Sequence, residues 1–64
     1  MSEKELRARI KASLAYTGMK QDELAEELGI SHATMCRKMA EPQRFTWGEV
    51  CTISEMFRWK ISVQ

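Results

Sequence analysis

The chain contains no run of 18 apolar residues, so a membrane-spanning helix is excluded. Cysteine is scarce: Cys36 and Cys51 stand fifteen residues apart. Two separated thiols cannot build a disulfide framework, and a reducing cytoplasmic setting is the expectation. Glycine occurs three times, at Gly18, Gly29 and Gly48, never clustered, which removes a glycine-rich phosphate loop. His32 is the one histidine, and no nucleophile, base and orienting group are legible together. The chain therefore reads as no enzyme, with no cofactor and no small-molecule substrate. His32 and Cys36 have the four-residue spacing of metal ligands, and Cys51 is a conceivable third. Structural zinc sites need three or four ligands, anchored by a close pair in each half, so no metal is expected and the plain reading is a surface histidine with two free thiols. Met1 to Glu5 carries acids where a signal peptide needs a basic flank and an apolar stretch, so export is not expected. Repeats and low-complexity segments are absent too.

What is present is one small domain spanning residues 1–64. A chain of that length buries only about 60% of the surface its unfolded form exposes, too little to wall an enzyme cleft with its own core. The formal net charge of +1 conceals an uneven distribution. Residues 1–20 carry five bases against two acids, and residues 21–30 carry four acids and no base. Arg37, Lys38 and Arg44 then face Glu41 alone, and the final seventeen residues balance. Charge segregation of this kind bears on partners rather than on fold.

Helical punctuation divides the sequence into four. Ser2 and Glu5 form an S-x-x-E capping box, in which each side chain would satisfy the other's free backbone N–H, with Met1 and Leu6 at the staple positions. Leu6, Ile10 and Leu14 recur every fourth residue, and Gly18 ends the helix. Gln21 to Leu28 reads as a short second helix with Asp22 and Glu23 in its first turn, where the dipole favours acids. Lys20 is a poor cap for it. Ser31 opens a third helix running to about Met39, with only Met35 and Met39 clearly apolar, and Pro42 closes it. Thr46 and Glu49 form a second capping box, followed by Trp47, Val50, Ile53, Met56 and Phe57 as a core face. The tail, residues 58–64, is ambiguous. Phe57, Trp59, Ile61 and Val63 alternate with polar residues as in a strand, yet helical spacing fits as well.

Two short helices joined by Gly-Ile-Ser, with Ala25 small at their crossing and Ile30 and Met35 in the wedge, match the geometry of a helix-turn-helix. Residues 20–39, KQDELAEELGISHATMCRKM, resemble the corresponding motif of the phage λ repressor/Cro-like family. The resemblance extends from Leu6 to Phe57. It implies an all-α bundle of four to five helices and a sequence-specific transcriptional regulator of double-stranded DNA. Such a regulator would act as a phage or prophage repressor at the nucleoid in the cytoplasm of a bacterial host.

By position in that motif, His32, Ala33 and Arg37 face base edges, and Gln21 meets a phosphate. The third helix would place Arg37 one turn beyond His32, where a guanidinium can bond guanine O6 and N7 together. Thr34, Lys38 and Arg44 are candidates for further phosphate contacts. Acidic helix two should face away from the duplex. Two departures from the family stand out: Ala40-Glu41 replaces the Asn-Gly that often follows the reading helix, and Lys38 stands where an apolar residue is usual. The sequence also stops near where a fifth helix would pack. A homodimer is expected on DNA, with Phe57, Trp59, Ile61 and Val63 at its interface. The competing reading is a protein-interaction module, antirepressor- or antitoxin-like, with no DNA target.

Overall fold

The computed structural model describes residues 2–59. Four α-helices follow one another: α1 (Glu3–Thr17), α2 (Gln21–Leu28), α3 (His32–Ala40) and α4 (Trp47–Phe57), with one 3₁₀ turn at Pro42–Arg44 between the last two. No strand occurs among the described residues. The radius of gyration, 10.9 Å, is what a compact chain of this size gives, about 10–11 Å.

Each boundary has a local cause. The Glu5 N–H donates to Ser2 Oγ at 3.2 Å. The expected box is only half formed, because the Glu5 carboxylate accepts from the Ser2 hydroxyl at 3.4 Å instead of the Ser2 backbone. Met1, the expected staple partner of Leu6, lies outside the described residues. At the other end Gly18 takes φ 73°, and Met19 N–H reaches back to the Leu14 carbonyl. Lys20 has no acceptor to offer α2, but the Glu23 carboxylate accepts the Lys20 N–H at 3.0 Å and supplies half of a cap. Gly29 closes α2 at φ 70°, with Ile30 N–H bonded to the Ala25 carbonyl. A side chain at Gly29 would meet nothing within 4 Å, so its requirement is the left-handed backbone and not space. Ser31 caps α3 by accepting from Thr34 N–H. Thr46 and Glu49 complete the full reciprocal box of α4, at 2.9 and 3.0 Å.

The core comprises Leu6 and Ile10 from α1, Leu24 and Ala25 from α2, Met35 and Met39 from α3, Phe45, and Ile53 from α4. Ile10, Leu24, Met35 and Ile53 are fully buried, each contributing about 1.5–3 kcal/mol of transfer free energy. Trp47 departs from its expected place on the core face of α4: it is 69% exposed. Phe45, just before the cap, is buried beneath the first turn in its stead, and Trp47 is left on the rim.

Of the tail, only Arg58 and Trp59 are described, and neither is in a strand. Arg58 adopts φ 54° and ψ 44°, and Trp59 N–H turns back to the Ser54 carbonyl at 2.8 Å. This is a helix-terminating turn, so the alternation beginning at Phe57 is broken at its first step. Ile61 and Val63 lie outside the described residues. Arg58 is exposed and is the only non-glycine residue with positive φ among the described residues. Because the left-handed conformation costs an L-residue about 1–2 kcal/mol, Arg58→Gly should stabilise the fold by about 0.5–1 kcal/mol. Urea unfolding followed by circular dichroism measures this; a lower midpoint would contradict it.

Candidate nucleic-acid interface

Helix α3 gives the core only Met35 and Met39 of its nine residues. His32, Ala33, Thr34, Cys36 and Arg37 are exposed. The residues proposed to read bases thus share the solvent side of one helix. The Arg37 guanidinium has no hydrogen bond or ion pair among the described residues, so its donors are available to a ligand. Thr34 Oγ1 accepts from the Ser31 hydroxyl at 2.9 Å and belongs to the cap as much as to the surface.

The N-terminal ends of α2 and α3 meet in a polar cluster. Gln21, the first residue of α2, is half-buried and donates from Nε2 toward Cys36 Sγ at 3.5 Å. His32 Nδ1 pairs with the Asp22 carboxylate, and its Nε2 lies 3.4 Å from the same sulfur. The side chains of His32 and Asp22 are 65% and 69% exposed. One expectation changes here. Asp22 of the acidic second helix leans onto His32. A nucleophile, a base and an orienting carboxylate do come together; the four-residue spacing marks His32 and Cys36, and only Asp22 carries no such signal. Asp22 reads locally as a first-turn acid, and its partner is ten residues away on another helix.

At the opposite end of α3 the basic side chains are differently engaged. Lys38 Nζ bonds Glu49 Oε1 at 2.6 Å and the Arg44 carbonyl at 3.3 Å, and it sits 5.8 Å from the Phe45 ring centroid. Its side chain is 14% exposed and that of Glu49 16%. Lys38, expected against phosphate, is instead directed inward and braces α3 against α4. The Arg44 side chain is exposed at the 3₁₀ turn and pairs with Glu41 three residues back. Arg7 of α1 reaches the Ala40 carbonyl with Nη2 at 2.9 Å, placing a cation at the negative end of the α3 dipole. The partner of Arg7 is 33 residues away, beyond any local signal.

Of the residues expected at a dimer surface, Phe57 and Trp59 are half-buried and stack with ring centroids 6.3 Å apart. Trp59 Nε1 donates to Ser13 Oγ at 2.8 Å, and the Arg9 guanidinium lies over its ring at 5.4 Å. Trp59 therefore packs onto α1 within the chain, and Phe57 packs against the core. Beside them an open groove of about 770 Å³ is lined by Arg9, Ser13, Tyr16, Met56 and their neighbours.

No family model, curated protein or solved structure matches this chain. Any assignment of a role accordingly rests on residues and geometry. Among the described residues no group of three His, Cys, Asp or Glu side chains is placed to hold a metal ion, and no helix is long and apolar enough to cross a membrane.

The Lys38–Glu49 pair makes stability depend on pH. Burial pushes the Glu49 carboxyl up, but hydrogen bonds from Lys38 and Thr46, with the Lys38 charge, outweigh it and hold the group below its ordinary 4.5. A carboxyl lowered on folding contributes stability above its unfolded value, and that contribution is lost as pH falls through the folded value. Lys38→Ala should cost about 1.5–3 kcal/mol at pH 7, the range for a hydrogen bond to a charged group. Thermal melts between pH 7 and 3 should show the variant converging on the parent as Glu49 protonates. A constant gap across that range would mean that the ion pair is not the cause.

Proposed function

We propose that this protein is a sequence-specific regulator of double-stranded DNA that reads the major groove with α3. The observation carrying this reading is the exposed outer face of α3, with the guanidinium of Arg37 on it unpaired among the described residues, directly after a short helix ended by left-handed Gly29. A helix that gives so little of itself to its own core has a face available for a partner. The pair α2 and α3, packed together through Ala25 and Met35, supports assignment as a helix-turn-helix of the λ repressor/Cro type.

In this reading His32, Ala33 and Arg37 address base edges, and Gln21, Thr34 and Arg44 address phosphates. Arg37 gives guanine recognition, and Ala33 touches a thymine methyl. Gln21 and Thr34 lie at helix N-termini, where backbone N–H groups also favour phosphate. The net charge of +1 keeps sequence-independent attraction modest, so specificity rests on few side chains. One such domain has too few contacts to bind tightly. A homodimer on paired half-sites one helical turn apart supplies the affinity, and repression follows from occupying a promoter. Its contacts would come from the Phe57 and Trp59 corner and from Ile61 and Val63.

A second reading has an observation in its favour. Tyr16 is 93% exposed at the edge of the groove beside Trp59, as on a surface that docks a protein. In that case the chain is an interaction module without a DNA target.

Selection from a random duplex pool at low salt separates the two. Enrichment of one motif is expected, and failure to enrich any sequence defeats the DNA reading. On the selected site, Arg37→Ala should relax preference at a single base position per half-site, by about 1–3 kcal/mol. Equal weakening at every position would instead make Arg37 a phosphate contact.

A further inference from the structure

Cys36 lies in a chemically organised neighbourhood that DNA reading does not require. His32 Nδ1 pairs with the Asp22 carboxylate, and a ring that donates from Nδ1 there carries a lone pair on Nε2 when neutral. That nitrogen is 3.4 Å from Cys36 Sγ, the position of a base that removes a thiol proton. Gln21 Nε2, at 3.5 Å, donates toward the same sulfur and stabilises negative charge as it develops there. The sulfur is exposed, so a small reagent reaches it. Cys51 provides the contrast: it is half-buried on α4, and no histidine touches it among the described residues.

The surroundings limit the chemistry. The depression beside His32 is acidic, lined by Asp22, Glu23 and Glu26, and so disfavours anionic reagents. Exchange with a disulfide needs only an accessible thiolate and a proton acceptor.

We propose that Cys36 is a modification site that exchanges with small, uncharged or cationic disulfides, with His32 as its base and Asp22 as the residue positioning that base. The thiol proton moves to His32 Nε2 as the sulfur attacks one sulfur of the small disulfide. A new S–S bond forms to Cys36 and the old one breaks. The departing half leaves as a thiolate and takes the proton from His32. Cys36 is oxidised, the small disulfide is reduced, and free thiol reverses the step. Cys36 stands between Ala33 and Arg37 on the outer face of α3, so the added group blocks that face. This last consequence rests on the DNA-binding reading, whereas the exchange itself does not.

The test uses the full chain and the neutral reagent 4,4′-dithiodipyridine at pH 7, with peptide mass spectrometry resolving the two sulfurs. Cys36 should react at least tenfold faster in the parent than in His32→Gln, and severalfold faster than in Asp22→Asn. Both substituted side chains are exposed, and circular dichroism verifies that each variant is folded. Should one fail to fold, the other carries the comparison. Equal rates in a folded variant and the parent would overturn the proposal, as would a parent Cys36 no faster than the same cysteine in guanidinium-unfolded chain. A second arm loads Cys36 with cystamine and measures binding to the selected duplex. Affinity should fall at least tenfold and return with dithiothreitol. Fast, histidine-dependent exchange in a protein that binds no duplex would uphold the thiol site and defeat the DNA reading. Undiminished binding by the loaded protein would defeat the blocking consequence alone.

Discussion

The bond between Lys38 and Glu49 is the contact on which the arrangement of the helices turns. A nine-residue helix is marginal by itself, and α3 secures its place with only two core side chains. Glu49 Oε1 accepts from Lys38 Nζ and also from the Thr46 N–H, so a single oxygen joins the last turn of α3 to the start of α4. Arg7 adds α1 to the same end through the Ala40 carbonyl. Polar contacts at its C-terminal end thus replace the apolar anchoring that α3 lacks. They are the reason its outer face can remain uncommitted.

The two ends of α3 are built for different purposes. At its C-terminus the charges are half-buried and paired, and they contribute rigidity. At its N-terminus Gln21, Asp22, His32 and Cys36 touch one another in solvent, where pairing adds little stability but fixes orientation. A rigid rear and a chemically versatile front suit a helix that must present side chains in a defined register. The carboxylate of Asp22 on that front is paired with His32 and sets that ring's orientation.

The legible part of this fold was local. Ser2, Gly18, Gly29, Ser31 and the Thr46–Glu49 pair act within three or four residues of themselves, and the helix boundaries fell where they directed. The exposed face of α3 was legible too, since Met35 and Met39 alone could reach a core. What escaped were partners set by packing. Lys38 finds Glu49 eleven residues on, Asp22 finds His32 ten residues on, and Arg7 finds a carbonyl 33 residues away. Trp47 shows the same limit from the apolar side. Its spacing suited the core face, but Phe45 occupies the space below the helix start. At Arg58 the chain takes a left-handed turn, a conformation that its identity does not advertise.

Trp59 bonds Ser13 across 46 residues of chain. At synthesis rates of about 5–20 residues per second, Ser13 is made roughly 2–9 s before its partner. Leu6 and Ile10 of α1 share that interval with few contacts to shield them, because the elements they pack against are not yet complete. Helix α1 is thus made before the segments that secure it. Its exposed bases Lys4, Arg9 and Lys11 outnumber its acids Glu3 and Glu5, so the waiting helix carries a net positive charge.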